Sequence, residues 1–191
     1  AFMRPSFETN DDIVFAELGS GLRGVKDAHL VFQNYGLGMI YRLLYGVTGR
    51  LPWYTIVQYM ILFAAFTVVT YVLMSRLGEI SGLCLFVILA CGFGYEGYIH
   101  LQFTKTAGIA AAAAVFLLLY LLEQEKYSWW GIAGGILLAV IAYMYREDQF
   151  WASCGLMAGA GLLFLFDLRK YRNKKLRRLC LLYTSPSPRD A

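Results

Sequence analysis

Residues 53–74 read WYTIVQYMILFAAFTVVTYVLM, without a single charged side chain. A membrane-spanning helix needs about 20 mostly apolar residues, and this run supplies them with no polar stripe along it. The same pattern recurs along the chain. Ile80 to Tyr98 is apolar until Glu96, and Thr106 to Leu122, Trp129 to Tyr145 and Phe150 to Phe166 follow. Five runs of this kind predict an all-α, polytopic transmembrane helix bundle of about five spans. Composition agrees. Hydrophobic residues make up 59% and charged residues 16%, where soluble domains average about 45–50% and about 25%.

Between and before the spans the pattern changes. His29 to Val47 is apolar and aromatic but carries His29, Asn34 and Arg42, which predicts an N-terminal interfacial helix. Ala110 through Ala114 offers a small surface for close helix packing, and Gly131, Gly134 and Gly135 could serve the fourth span in the same way. Trp53, Tyr54, Tyr127, Trp129, Trp130 and Trp151 stand near span ends, as an aromatic belt requires. Between Asp167 and Arg178 lie seven basic residues, Arg169, Lys170, Arg172, Lys174, Lys175, Arg177 and Arg178. By the positive-inside rule that loop is cytoplasmic, with Ser75–Glu79 and Glu123–Ser128 on the same side. The N-terminal segment, the turn around Tyr95 to Lys105, and Arg146–Asp148 then face outward. The expected divisions are an extracytoplasmic loop with its interfacial helix (1–51), the helix bundle (52–168), a basic cytoplasmic loop (169–179) and a tail (180–191).

Several function classes drop out. The basic residues lie against an apolar span without a fold of their own, which argues against nucleic-acid binding. No glycine-rich nucleotide loop is present. Cys84, Cys91 and Cys154 sit in apolar runs, where cysteine behaves as a small hydrophobe. No His or carboxylate joins them at ligand spacing, so neither a disulfide framework nor a metal site is expected.

The outward segments hold the polar chemistry. Asp11 and Asp12 are adjacent carboxylates that could bind a divalent cation, or act as a general base with its positioning neighbour. Equally, Thr9-Asn10-Asp11-Asp12 before Ile13-Val14-Phe15 resembles a helix N-terminus, where acids complement the dipole. Glu96, His100, Gln102 and Lys105 form a second group. At helical spacing Glu96 and His100 would share a face, while Lys105 could simply reach for water. Glu96 lies among apolar neighbours, and an ionisable group there is a functional candidate by default. In Arg146-Glu147-Asp148, a polar turn between two apolar runs, the guanidinium could clamp a phosphate.

Asn10-Asp11-Asp12, Asp27-Ala-His-Leu-Val-Phe-Gln-Asn34, Leu51-Pro-Trp-Tyr54, Gln102-Phe103-Thr104 and Tyr145-Arg146-Glu-Asp148 together resemble the GT-C superfamily of multispanning glycosyltransferases. The likeness is strongest to uncharacterised relatives in Gram-positive anaerobic bacteria, and it covers most of residues 7 to 168. It implies a bacterial cell-membrane enzyme that takes a polyprenyl-phosphate sugar donor on the outer leaflet side. It makes Asp11 or Asp12 the catalytic base, Arg146 and Lys105 the donor-phosphate contacts, and Glu96 and His100 part of the pocket. The superfamily's first span is not among these residues. Cys180 to Asp190 resembles an in-frame translation of a sequencing adapter, the other reading being a Pro/Ser-rich tail. With Ala1 in place of an initiator Met, the expectation is a fragment of a longer protein. The alternative functions are a transporter or lipid flippase, for which paired inverted repeats and broken helices would be expected, and a non-catalytic membrane protein.

Overall fold

The apolar runs become helices because a chain in lipid must satisfy its own backbone hydrogen bonds. The computed structural model describes residues 6–22, 24, 27–122, 124, 128–157 and 159. Seven α-helices lie wholly within them: α1 (Asn10–Ser20), α2 (Tyr35–Val47), α3 (Trp53–Leu77), α4 (Glu79–Leu89), α5 (Tyr95–Ile99), α6 (Phe103–Leu122) and α7 (Trp129–Tyr145). Two short strands, β1 (Ser6–Phe7) and β2 (His100–Leu101), pair in parallel with Ser6 opposite His100. The chain divides into two compact units, Ala1–Cys154 and Gly155–Ala191. In the first, residues 147–154 are also helical; in the second, 155–157 and 159 are.

Three helical segments are long and apolar enough to cross a membrane: Trp53–Leu77, Glu79–Ile99 and Phe103–Leu122. The chain therefore reads as a multi-pass membrane protein. Trp129–Tyr145 is apolar but has 17 residues, a rise of about 25 Å against about 30 Å of hydrocarbon. The fifth expected span runs beyond the described residues, as do the basic loop and the tail.

Details depart from the sequence expectations for physical reasons. The helix expected over residues 29–47 begins only at Tyr35, because Asn34 caps it by accepting the Gly36 N–H at 2.9 Å. Residues 28–34 are instead non-helical, with a turn at Val31 and Phe32. The second span is interrupted by a π-helical turn, Ala90–Gly94, between α4 and α5. Its helix ends at Ile99, so Glu96 and His100 do not share a helical face. His100 is drawn out of the helix by pairing with Ser6.

Small residues set the helix spacing. Ala107, Ala110, Ala111, Ala113 and Ala114 are fully buried on α6, which packs against α3 and α7. A Cβ on Gly135 would lie 2.9 Å from Leu118 Cδ2. Gly134 faces open space, so of the expected packing glycines this one has no such role. Gly82 brings α4 onto α3: a Cβ there would sit 2.6 Å from Met74 Cα. Gly78, with φ of 82°, makes the reversal between those helices in a single residue.

The antiparallel order gathers the starts of α3 and α6 and the end of α7 at one end of the bundle. There α1 and α2 pack on them through Phe15, Tyr41, Tyr45, Tyr54, Phe103 and Tyr145. At the opposite end the Arg76 guanidinium lies 5.5 Å from the Tyr120 ring centre.

Candidate functional site

Four consecutive residues, Phe103-Thr104-Lys105-Thr106, open α6, and each reaches a different polar partner. Phe103 donates its backbone N–H to Asp12 Oδ1 at 3.1 Å. Thr104 Oγ1 accepts from Arg146 Nη1 at 3.0 Å. The Lys105 ammonium lies between Glu8 and Glu96, 2.8 Å from Glu96 Oε2. Thr106 Oγ1 donates to Gln58 Oε1 at 3.1 Å. A helix N-terminus has unpaired N–H groups and a positive dipole end, so a carboxylate settles there.

Asp12 is that carboxylate, and it is completely buried. Besides the Phe103 N–H it accepts from Thr9 Oγ1 (2.7 Å), Tyr54 Oη (2.8 Å) and, at the limit of hydrogen bonding, Gln58 Nε2 (3.5 Å). Burial pushes its pKa above the ordinary value, against the lowering effect of the four donors. It therefore ties α1 to α3 and α6. Asp11, one residue back, turns to the surface and is exposed.

The polar network continues inward. Tyr54 Oη accepts from Gln33 Nε2 at 3.2 Å, while Gln33 Oε1 is buried without a hydrogen-bond partner. Tyr41 and Tyr145 share a hydrogen bond between their hydroxyls. Burial, with Tyr145 and Tyr54 nearby, raises the Tyr41 pKa well above its usual value.

The cations differ in their surroundings. Lys105 is neutralised by two carboxylates. Arg146, half-buried as the residue after α7, has no carboxylate in ion-pair range among the described residues, and Thr104 is its hydrogen-bond partner. Its guanidinium carbon lies 5.3 Å from the Phe32 ring centre and 5.4 Å from that of Phe103, within the range of cation–π attraction. Asp12 and Arg146 thus approach Phe103 from its backbone and its ring. Phe32 has φ of 68°, the one positive value outside glycine among the described residues, a conformation that costs roughly 1–2 kcal/mol.

Of the sequence candidates, Asp12, Glu96, Lys105 and Arg146 meet on the first turn of α6. His100 lies just before it in β2, its ring 6.0 Å from that of Tyr95. Among the described residues no group of three or more His, Cys, Asp or Glu is placed to hold a metal ion. The sequence marks Tyr54 only as an interface aromatic and, with Phe32 and Gln33, as part of the family resemblance; none of the three, nor Gln58, is a candidate site residue there. Gln58 was findable, as the one amide in an uncharged span.

A separate groove of about 290 Å³ lies between α3 and the α4–α5 segment, lined by Phe63, Phe66, Phe86, Gly94 and Tyr98 among others. Thr67 and Thr70 also face it, but their hydroxyls bond back to the carbonyls of Phe63 and Phe66, leaving an apolar wall. No family model, curated protein or solved structure matches the chain.

Proposed function

We propose that the chain belongs to a membrane glycosyltransferase of GT-C type, using a polyprenyl-phosphate sugar at the outward polar end. The observation that carries this reading is Arg146, a cation without a carboxylate partner among the described residues, joined to the same helical turn that holds Asp12. A guanidinium that no described carboxylate neutralises suits a phosphate. Lys105, already held by Glu8 and Glu96, suits it less. In the proposed step a carboxylate removes the proton of an acceptor hydroxyl. The hydroxyl oxygen bonds to the anomeric carbon as its bond to the phosphate oxygen breaks, and polyprenyl phosphate leaves with its charge at Arg146. Asp11 is the carboxylate open to an acceptor, and Asp12 supports it from the buried side. The apolar groove offers a place for an isoprenoid chain.

The test is binding of polyprenyl phosphate to the protein in phosphatidylcholine nanodiscs, with polyprenol of equal length as control. Arg146→Gln is expected to weaken phosphate binding by about tenfold to a hundredfold, the range of a charged hydrogen bond, and to leave polyprenol unaffected. Equal binding of both lipids by the native protein would sink the reading.

A transporter or flippase is the second reading, supported by the π-helical turn that breaks a candidate span. Proteoliposomes distinguish the two. Lipid scrambling without sugar transfer favours the transporter, and transfer without scrambling favours the enzyme.

A further inference from the structure

We propose that Phe32 is a movable cover over an oxyanion site formed by Arg146 and Thr104; the inference rests on the reading that Arg146 takes a phosphate. The turn carrying Phe32 is otherwise well anchored. Ala28, Leu30 and Gln33 are buried, and the Asn34 N–H donates to the Met144 carbonyl at 2.9 Å, two residues before Arg146. Phe32, like its neighbour Val31, is exposed (62% and 58%), and among the described residues it is the non-glycine residue with its backbone in the left-handed region. An aromatic residue gains nothing locally from either condition. What it gains is its place beside the Arg146 guanidinium.

The next residue carries a second unfavourable feature, the buried and unpartnered Oε1 of Gln33. Buried polar atoms in folded proteins almost always find a partner, so an orphan asks for a reason. Both features would be relieved together if the turn swung outward, letting Phe32 relax to an extended backbone and Gln33 Oε1 reach water. Holding the turn in place are the Phe32–Arg146 contact, the Gln33 Nε2 bond to Tyr54 and the Asn34–Met144 bond. Opposed features of this kind make a two-state element. In the closed state the ring covers part of the guanidinium, and an oxyanion enters when the ring moves away. Apparent affinity is then reduced by the closed fraction.

The experiment uses the full chain in phosphatidylcholine nanodiscs, with inorganic phosphate and polyprenyl phosphate as separate probes. Phe32→Asn and Phe32→Gly both accept the left-handed backbone, and their thermal midpoints report that the fold is retained. The expected result is that both variants bind a phosphate probe about fivefold more tightly, with Arg146→Gln abolishing the gain. Tightening for both probes assigns the site to the phosphate itself, and tightening for the lipid alone assigns it to a lipid-linked phosphate. Unchanged or weaker binding by both variants, with Arg146→Gln still harmful, overturns the cover and leaves the phosphate reading standing. Native binding that is indifferent to Arg146→Gln overturns that reading and the cover with it.

Discussion

At the scale of single residues, Asp12 shows how burial changes what a carboxylate does. Exposed, it would be a surface acid; buried, it organises donors from α3, α6 and the segment before its own helix. Asp12→Ala would leave the Tyr54 hydroxyl and the Phe103 N–H without their acceptor, a cost of about 3 kcal/mol. A clear fall in the thermal midpoint in detergent is expected, and an unchanged midpoint would show that the network holds nothing together. The pH dependence follows from the raised pKa. Between the unfolded carboxylate value of about 3.9 and the higher folded value, the folded state holds more protons than the unfolded one. This group's contribution is therefore fully present below about pH 3.9 and is lost as pH rises through the folded pKa. Asp12→Asn removes that term, so its stability relative to the native protein should rise across the same window. The doublet Asp11-Asp12 was visible in the sequence, but which member is buried was not. Adjacent residues on a helix point about 100° apart, and the packing partner decides between them.

At the scale of elements, the helices were legible and their contacts were not. Gly82, Gly134 and Gly135 look alike in an apolar run. Their surroundings separate them. At Gly82 an added Cβ meets α3 backbone at 2.6 Å, whereas at Gly134 it meets nothing. Gly82→Ala should therefore push α4 away from α3 and lower stability by roughly 1–3 kcal/mol. Gly134→Ala should be neutral within about 0.5 kcal/mol. Denaturation in mixed micelles measures both, and equal effects would contradict the close α3–α4 approach. The second span also hid its interruption. A run such as Ala90-Cys-Gly-Phe-Gly94 is apolar enough for a regular helix, and its π-helical turn depends on hydrogen-bond register, which composition does not report.

At the scale of the whole molecule, the exposed apolar surface is intelligible as a lipid-facing surface. On the α4–α5 segment Ile80, Leu83, Val87, Ile88 and Phe93 are all at least half exposed, too large a surface to leave in water. Cys84 and Cys91 lie on the same segment and are exposed too. A membrane-impermeant maleimide should leave both unmodified in native membranes and label them after denaturation in detergent. Labelling in intact membranes would place that segment in water and remove one of the three candidate spans.

The class of the protein was determined by sequence alone. Long uncharged apolar runs have one comfortable solvent, and in that solvent the backbone must close its own hydrogen bonds, so helices follow from composition. The boundaries of most helices followed nearly as well, because charge, proline and capping residues are local signals. What only the tertiary structure decided is the grouping of Asp12, Glu96, Lys105 and Arg146 on the first turn of α6, and their separation into a sealed carboxylate, a neutralised ammonium and a guanidinium without a carboxylate partner among the described residues. That grouping depends on antiparallel helices bringing residues 12, 54, 103 and 146 to one end. Distances across a bundle are set by packing between surfaces, and no periodicity along the chain records them.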